Sequence, residues 1–125
     1  MGKAEDVMGL LKSLKEAHPE IKACMVAKKG LEGLILFPET FKNEASQVWE
    51  PLSKNVDDML SIVDKYSYLG QKRLYSELLG FGAFFLPFPM TDTALIVFVK
   101  CADPLAAVST CLEDMEKTHK RITEL

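Results

Sequence analysis

Histidine, cysteine and arginine are all scarce in this 125-residue chain: His18 and His119, Cys24, Cys101 and Cys111, and Arg73 and Arg121 are the full stock. A hydrolase built on a nucleophile, a base and an orienting group needs a histidine set among partners, and neither histidine falls in a recognisable triad pattern. His18 precedes Pro19 and reads as a residue at a helix end, near the helix carbonyls. His119 shares an apolar stripe with Met115 and Ile122, which marks it as a packed or interface side chain rather than a metal ligand. The cysteines are odd in number, show no CxxC spacing and lie in apolar patterns, so buried reduced thiols are expected in place of a disulfide frame or a zinc site.

Positive charge is also lacking. The formal net charge is -3 with a pI near 5.4, and no cluster of lysine and arginine is interleaved with aromatics, so nucleic acid is not an expected partner. The chain opens with an acidic amphipathic segment instead of a basic and apolar one, which argues against a signal peptide and for a cytoplasmic protein. Gly2 raises the question of myristoylation, but Asp6 stands where the acceptor motif wants Ser or Thr. Gly70-Gln71-Lys72-Arg73 lacks the spaced glycine and the Lys-Ser/Thr ending of a phosphate loop, and Gly80 and Gly82, which precede no helix, read as turn glycines. Asp57-Asp58 and Glu113-Asp114-Glu116 are carboxylates on diverging helix directions with no ligand loop, and read as solvated faces. Lys117, Lys120 and Arg121 have a structural reason to lie near a helix carboxyl end. No cofactor, metal or catalytic residue is therefore expected, and the chain reads as a non-enzyme.

What the chain does have is an almost uncharged stretch from Gly82 to Val99, broken only by Asp92. Pro87, Pro89 and the polar turn around Asp92 exclude a membrane helix, so this stretch reads as two antiparallel strands with apolar side chains on both faces. The prolines should end pairing or create a bulge. Before it, helical spacing of Val7, Leu10, Leu11 and Leu14 predicts a helix over 4–17. Residues 21–27 and 31–37 form a hairpin about Lys28-Lys29-Gly30. A long helical pattern covers 43–66, and Pro51 within it requires a kink or a helix proper that starts near that proline. Residues 72–79 form a third, more polar strand at a sheet edge, where Arg73 serves edge protection better than catalysis in the manner of an arginine finger. Asp103 caps a final helix with Pro104 at its first position, and Leu105, Val108, Leu112, Met115, His119 and Ile122 form its stripe.

The expected fold is one α+β domain over 1–125, an α/β/α arrangement of three layers with five mostly antiparallel strands in the order αββαβββα. Five strands span roughly 24 Å, whereas one helix covers about 10–12 Å. If the first and last helices share one face, the central helix stands alone on the other and leaves an apolar strip for a second chain to cover.

This pattern resembles the roadblock family of dynein-light-chain-like domains over nearly the whole chain. The likeness rests on the element order, the 21–37 hairpin, the long helix through Met59 and Val63, and the strand Gly80-Phe81-Gly82-Ala83-Phe84-Phe85-Leu86. The resemblance implies a homodimer, or a pair with a related roadblock subunit, that scaffolds or regulates a Ras-like small GTPase. Third strands would pair through the segment carrying Leu74, Ser76 and Leu78, and central helices would pair through Leu52, Val56, Met59, Leu60 and Val63. Trp49 reads first as core packing on the central helix and second, with Phe41 beside it, as an aromatic anchor where a partner docks. The rival readings are a small-molecule sensor of GAF or PAS type, with its pocket between central helix and sheet, and a trafficking adaptor of longin type.

Overall fold

The structure is a computed structural model and describes residues 3–31, 34–89 and 91–125; Gly2 and the 32–33 part of the expected second strand lie outside them. Helix α1 (Lys3–Ala17) leads into the hairpin β1 (Ile21–Lys28) and β2 (Ile35–Phe37). The short α2 (Phe41–Glu44) and the long α3 (Trp49–Tyr66) follow, then a single 3-10 turn at Ser67–Leu69. Strands β3 (Leu74–Leu78), β4 (Phe81–Pro87) and β5 (Thr93–Val99) precede α4 (Pro104–Thr123). The strands form one antiparallel sheet in the order β2-β1-β5-β4-β3, with the earliest and latest strands side by side at its centre.

Local chemistry accounts for most boundaries. Asp103 accepts the backbone N–H of Ala106 at 3.2 Å and Pro104 opens α4, as the sequence predicts. Pro51 lies in the first turn of α3, where its missing N–H costs no helical hydrogen bond, so the helical pattern of 43–66 divides into two helices. Among the described residues β2 covers 35–37 of the expected strand, and Leu31 (φ 59) lies outside it because it continues the left-handed turn begun at Gly30 (φ 87). Leu79 (φ 57) and Gly80 (φ 83) form the two-residue connection between β3 and β4, and positive φ at both is what a type I′ hairpin turn demands. Gly82 is a strand residue, not a turn glycine: it lies in β4 opposite Glu77 of β3 and Val99 of β5. Pro87 ends β4, as expected of a residue with no N–H.

Alternation divides the sheet between two cores. On one side Cys24, Phe84, Leu86, Leu95, Val97 and Val99 pack with Val7, Leu11 and Leu14 of α1 and Val108, Cys111 and Met115 of α4. On the other, Met25, Leu36, Phe85, Ile96 and Phe98 pack under Leu52, Val56 and Leu60 of α3. Helices α1 and α4 thus share one face and α3 lies on the other.

The broad uncovered strip expected beside α3 is absent from the central strands. Strand β4 is buried along its length, as is β5 from Ala94 onward, and most of β1 is buried too. The cover comes from the chain itself, through the segment between β2 and α3. Phe41 of α2 stacks on Phe98 at 5.3 Å and meets Phe81 (5.9 Å) and Trp49 (6.1 Å) edge to face. Ala45 is buried in the same cluster, with Val48 and Trp49 packed against it. Incomplete cover is confined to the margins, above all to β3, where Leu74, Ser76 and Leu78 are only partly buried.

Candidate functional site

Strand β3 forms one margin of the sheet, with β4 on its inner side and no strand on its outer side among the described residues. Residues Leu74, Ser76 and Leu78 stand opposite Phe85, Ala83 and Phe81 and so point to the α3 face. Ser76 Oγ donates to Asn55 Oδ1 of α3 at 3.0 Å, which fixes the flank of α3 that borders β3. On that flank Asn55, Met59, Ile62 and Tyr66 form a stripe, set about 90° around the helix from the buried stripe at the geometry of 3.6 residues per turn. Ile62 is 37% exposed and Tyr66 39%, and the following 3-10 turn adds Tyr68 at 68% and Leu69 at 64%. The margin of β3 and this flank of α3, tied together by the Ser76–Asn55 hydrogen bond, make up the candidate surface.

The predicted helix-pairing set divides here. Leu52, Val56, Leu60 and Val63 are at most 1% exposed, and the first three belong to the core under α3. They hold the helix to its own sheet and have no surface to give a second copy. Met59 is the half-buried member of the flank stripe and packs on the core, while Ile62 and Tyr66, which the sequence reading passed over, are its outward members. The signal for them was a second apolar phase running beside the first. Phe41 is likewise no partner anchor, since it is 2% exposed at the centre of an aromatic cluster. Trp49 is partly buried, with Lys42 Nζ 5.5 Å from its ring centre.

Other singled-out groups have structural partners. Arg73 pairs with Glu116 of α4, which ties the approach of β3 to that helix. Asp57 stays partly exposed, yet its Oδ1 accepts the Gly30 N–H at 2.7 Å and anchors the β1–β2 turn to α3. Lys29 pairs with Asp64 at 3.3 Å in the same junction. His119 is packed, with its ring stacked on Phe88 at 4.6 Å and its Nε2–H donating to Pro87 O at 2.9 Å. Leu105, expected on the buried stripe of α4, is instead 54% exposed, because Ala107 and Val108 turn inward at that level. His18 reaches across to α4, where its Nε2 lies 2.7 Å from Asp114 Oδ2, a long-range pairing no local pattern announces.

The three thiols are free and unequal. Burial pushes Cys24 up to about 12 and Cys111 up to about 11, so both stay protonated near neutrality. Cys101 is exposed at the end of β5, against the expectation that all three are buried. One thiol per chain should therefore react quickly with an aromatic disulfide reagent at neutral pH, and the other two only after denaturation. Cys101→Ser should remove the fast phase, and fast reaction of all three would contradict the packing described.

No helix among the described residues is long and apolar enough to cross a membrane. No protein-family model matches the chain, and no curated protein matches it either.

Proposed function

We propose that this protein is a non-enzymatic module that pairs two copies along β3 and, as a pair, serves as a docking platform for a Ras-like small GTPase. The observation that carries the pairing is the open margin of β3 beside the exposed Ile62 and Tyr66 of α3. A free strand margin presents unmet N–H and C=O groups, and an adjoining apolar flank gives a second copy area to bury. Two-fold pairing satisfies both at once, because each copy offers the same strand and the same helix flank. The element order and the sheet order β2-β1-β5-β4-β3 are compatible with the roadblock resemblance from which the GTPase role is taken.

Light scattering across a dilution series tests the pairing. The natural chain, 14.0 kDa, should scatter as twice that mass. Ile62→Asp should halve the mass with the circular dichroism unchanged, since Ile62 faces outward and a charge there meets water in the single chain. Met59→Asp is less discriminating, because Met59 also packs on the core. A single-chain mass at every concentration would sink the proposal. Retained pairing with no capture of any Ras-like GTPase in either nucleotide state would sink its second half alone.

A specific feature favours the sensor alternative. An apolar groove of about 520 Å³ lies at the open end between α1 and α4, lined by Val7, Val26, Ile35, Phe88 and Ile122. It is on the face opposite α3, not between the central helix and the sheet. Saturable binding of an apolar metabolite there by the Ile62→Asp chain would favour that reading.

A further inference from the structure

The turn between α1 and β1 meets the middle of α4 on the face away from α3. There, a ring nitrogen of His18, a carboxylate oxygen of Glu20 and the Sγ of Cys111 lie within 4.8 Å of one another. It is the one group of three such side chains among the described residues. Backbone bonds hold the donors in place: Ile21 N–H donates to His18 O at 3.1 Å, and Lys100 N–H donates to Glu20 O at 3.2 Å. Cys111 is fixed by its place in α4, and Asp114, three residues on, presents Oδ2 to His18 Nε2 at 2.7 Å.

We propose that His18, Glu20 and Cys111 form a site for one divalent cation of the zinc class, with Asp114 positioning the His18 ring. The donor types select the metal. Sulfur and imidazole nitrogen suit zinc and its neighbours, whereas calcium and magnesium take oxygen donors almost alone. With the imidazole proton on Nε2 and shared with Asp114, Nδ1 keeps the lone pair that a metal requires, an arrangement in which a carboxylate orients a ligating histidine. One thiolate and one carboxylate balance the double positive charge, and water completes a tetrahedron. Binding exchanges the Cys111 thiol proton for the cation and releases that proton to solvent. Burial that disfavours a bare thiolate is offset by the charge of the metal. The same burial argues against Cys111 as a nucleophile. A cation here would fasten the α1–β1 turn to α4. It does not depend on pairing through β3.

Titration of chelator-treated protein with cobalt(II), followed by displacement with zinc(II), tests the site. The natural chain should take up one cobalt per chain, with a sulfur-to-cobalt charge-transfer absorption in the near ultraviolet that zinc abolishes. Cys111→Ser should lose that absorption and Cys101→Ser should keep it. Asp114→Asn should keep the absorption while weakening binding by about 10–100-fold, as expected of a group that orients a ligand. Absence of the absorption in the natural chain, or its persistence in Cys111→Ser, would overturn the proposal. If Cys111→Ser fails to fold, Glu20→Gln decides: unchanged affinity for either metal in that variant would overturn it.

Discussion

Phe41→Ala should lower the unfolding free energy by about 3–5 kcal/mol, the cost of removing a buried aromatic ring from a packed core. The ring is 2% exposed and has three aromatic neighbours, with Phe98 stacked at 5.3 Å and Phe81 and Trp49 edge-on. Its loss leaves a cavity over β4 and β5 that rigid strands cannot collapse to fill. It also loosens the segment between β2 and α3 that covers this part of the sheet. Urea unfolding at fixed protein concentration, followed by Trp49 fluorescence, reads both effects: the midpoint should fall, and Trp49 should become more quenchable in the folded state. A loss under about 1 kcal/mol would mean that α2 is not the lid described. Phe41→Leu, which keeps part of the volume, should fall between the two.

Gly82→Ala should cost about 1–3 kcal/mol or more, by overpacking instead of by cavity formation. A methyl group at this position of β4 would lie 2.6 Å from Tyr75 Oη and 2.8 Å from Pro104 Cβ. Tyr75 can swing away, but only by giving up its 2.8 Å hydrogen bond to Glu77. Pro104 cannot, since its ring is locked and it opens α4 beside the Asp103 cap. Thermal unfolding measures the loss. Ultraviolet titration adds a second readout, because burial and the Glu77 carboxylate hold the Tyr75 hydroxyl above the usual phenol range. In Gly82→Ala one tyrosine should ionise earlier than in the natural chain. Unchanged stability and an unchanged tyrosine titration would show that β4 and α4 are farther apart than these distances.

The layout of the chain was legible in its sequence wherever local chemistry acts alone. Asp103-Pro104 announced a helix start, Pro87 a strand end, and Gly80 a turn, and each does so in the structure. The near-continuous apolar runs of β4 and β5 announced strands covered on both faces. What escaped depends on distance. The covering role of Phe41 depends on where the segment after β2 folds back, which no periodicity encodes. Counting whole helices against sheet width omitted a four-residue helix that does the work of a longer one. The hold of Asp57 on the β1–β2 turn was not visible because its partner, the Gly30 N–H, is 27 residues away. His18-Pro19-Glu20 and Cys111-x-x-Asp114 each look unremarkable alone. Only the packing of the α1–β1 turn on α4 brings these two short patterns together.

The two margins of the sheet are unequal, and under the proposed pairing through β3 that inequality bears on how far assembly would go. Strand β2 has three residues and runs directly into Pro38, which carries no N–H, whereas β3 has five and lies open. Strand addition through β3, as proposed, would use up that margin of each copy and leave the short β2 with its following Pro38 at both outer ends. Assembly by the proposed route would end at a closed pair instead of a filament.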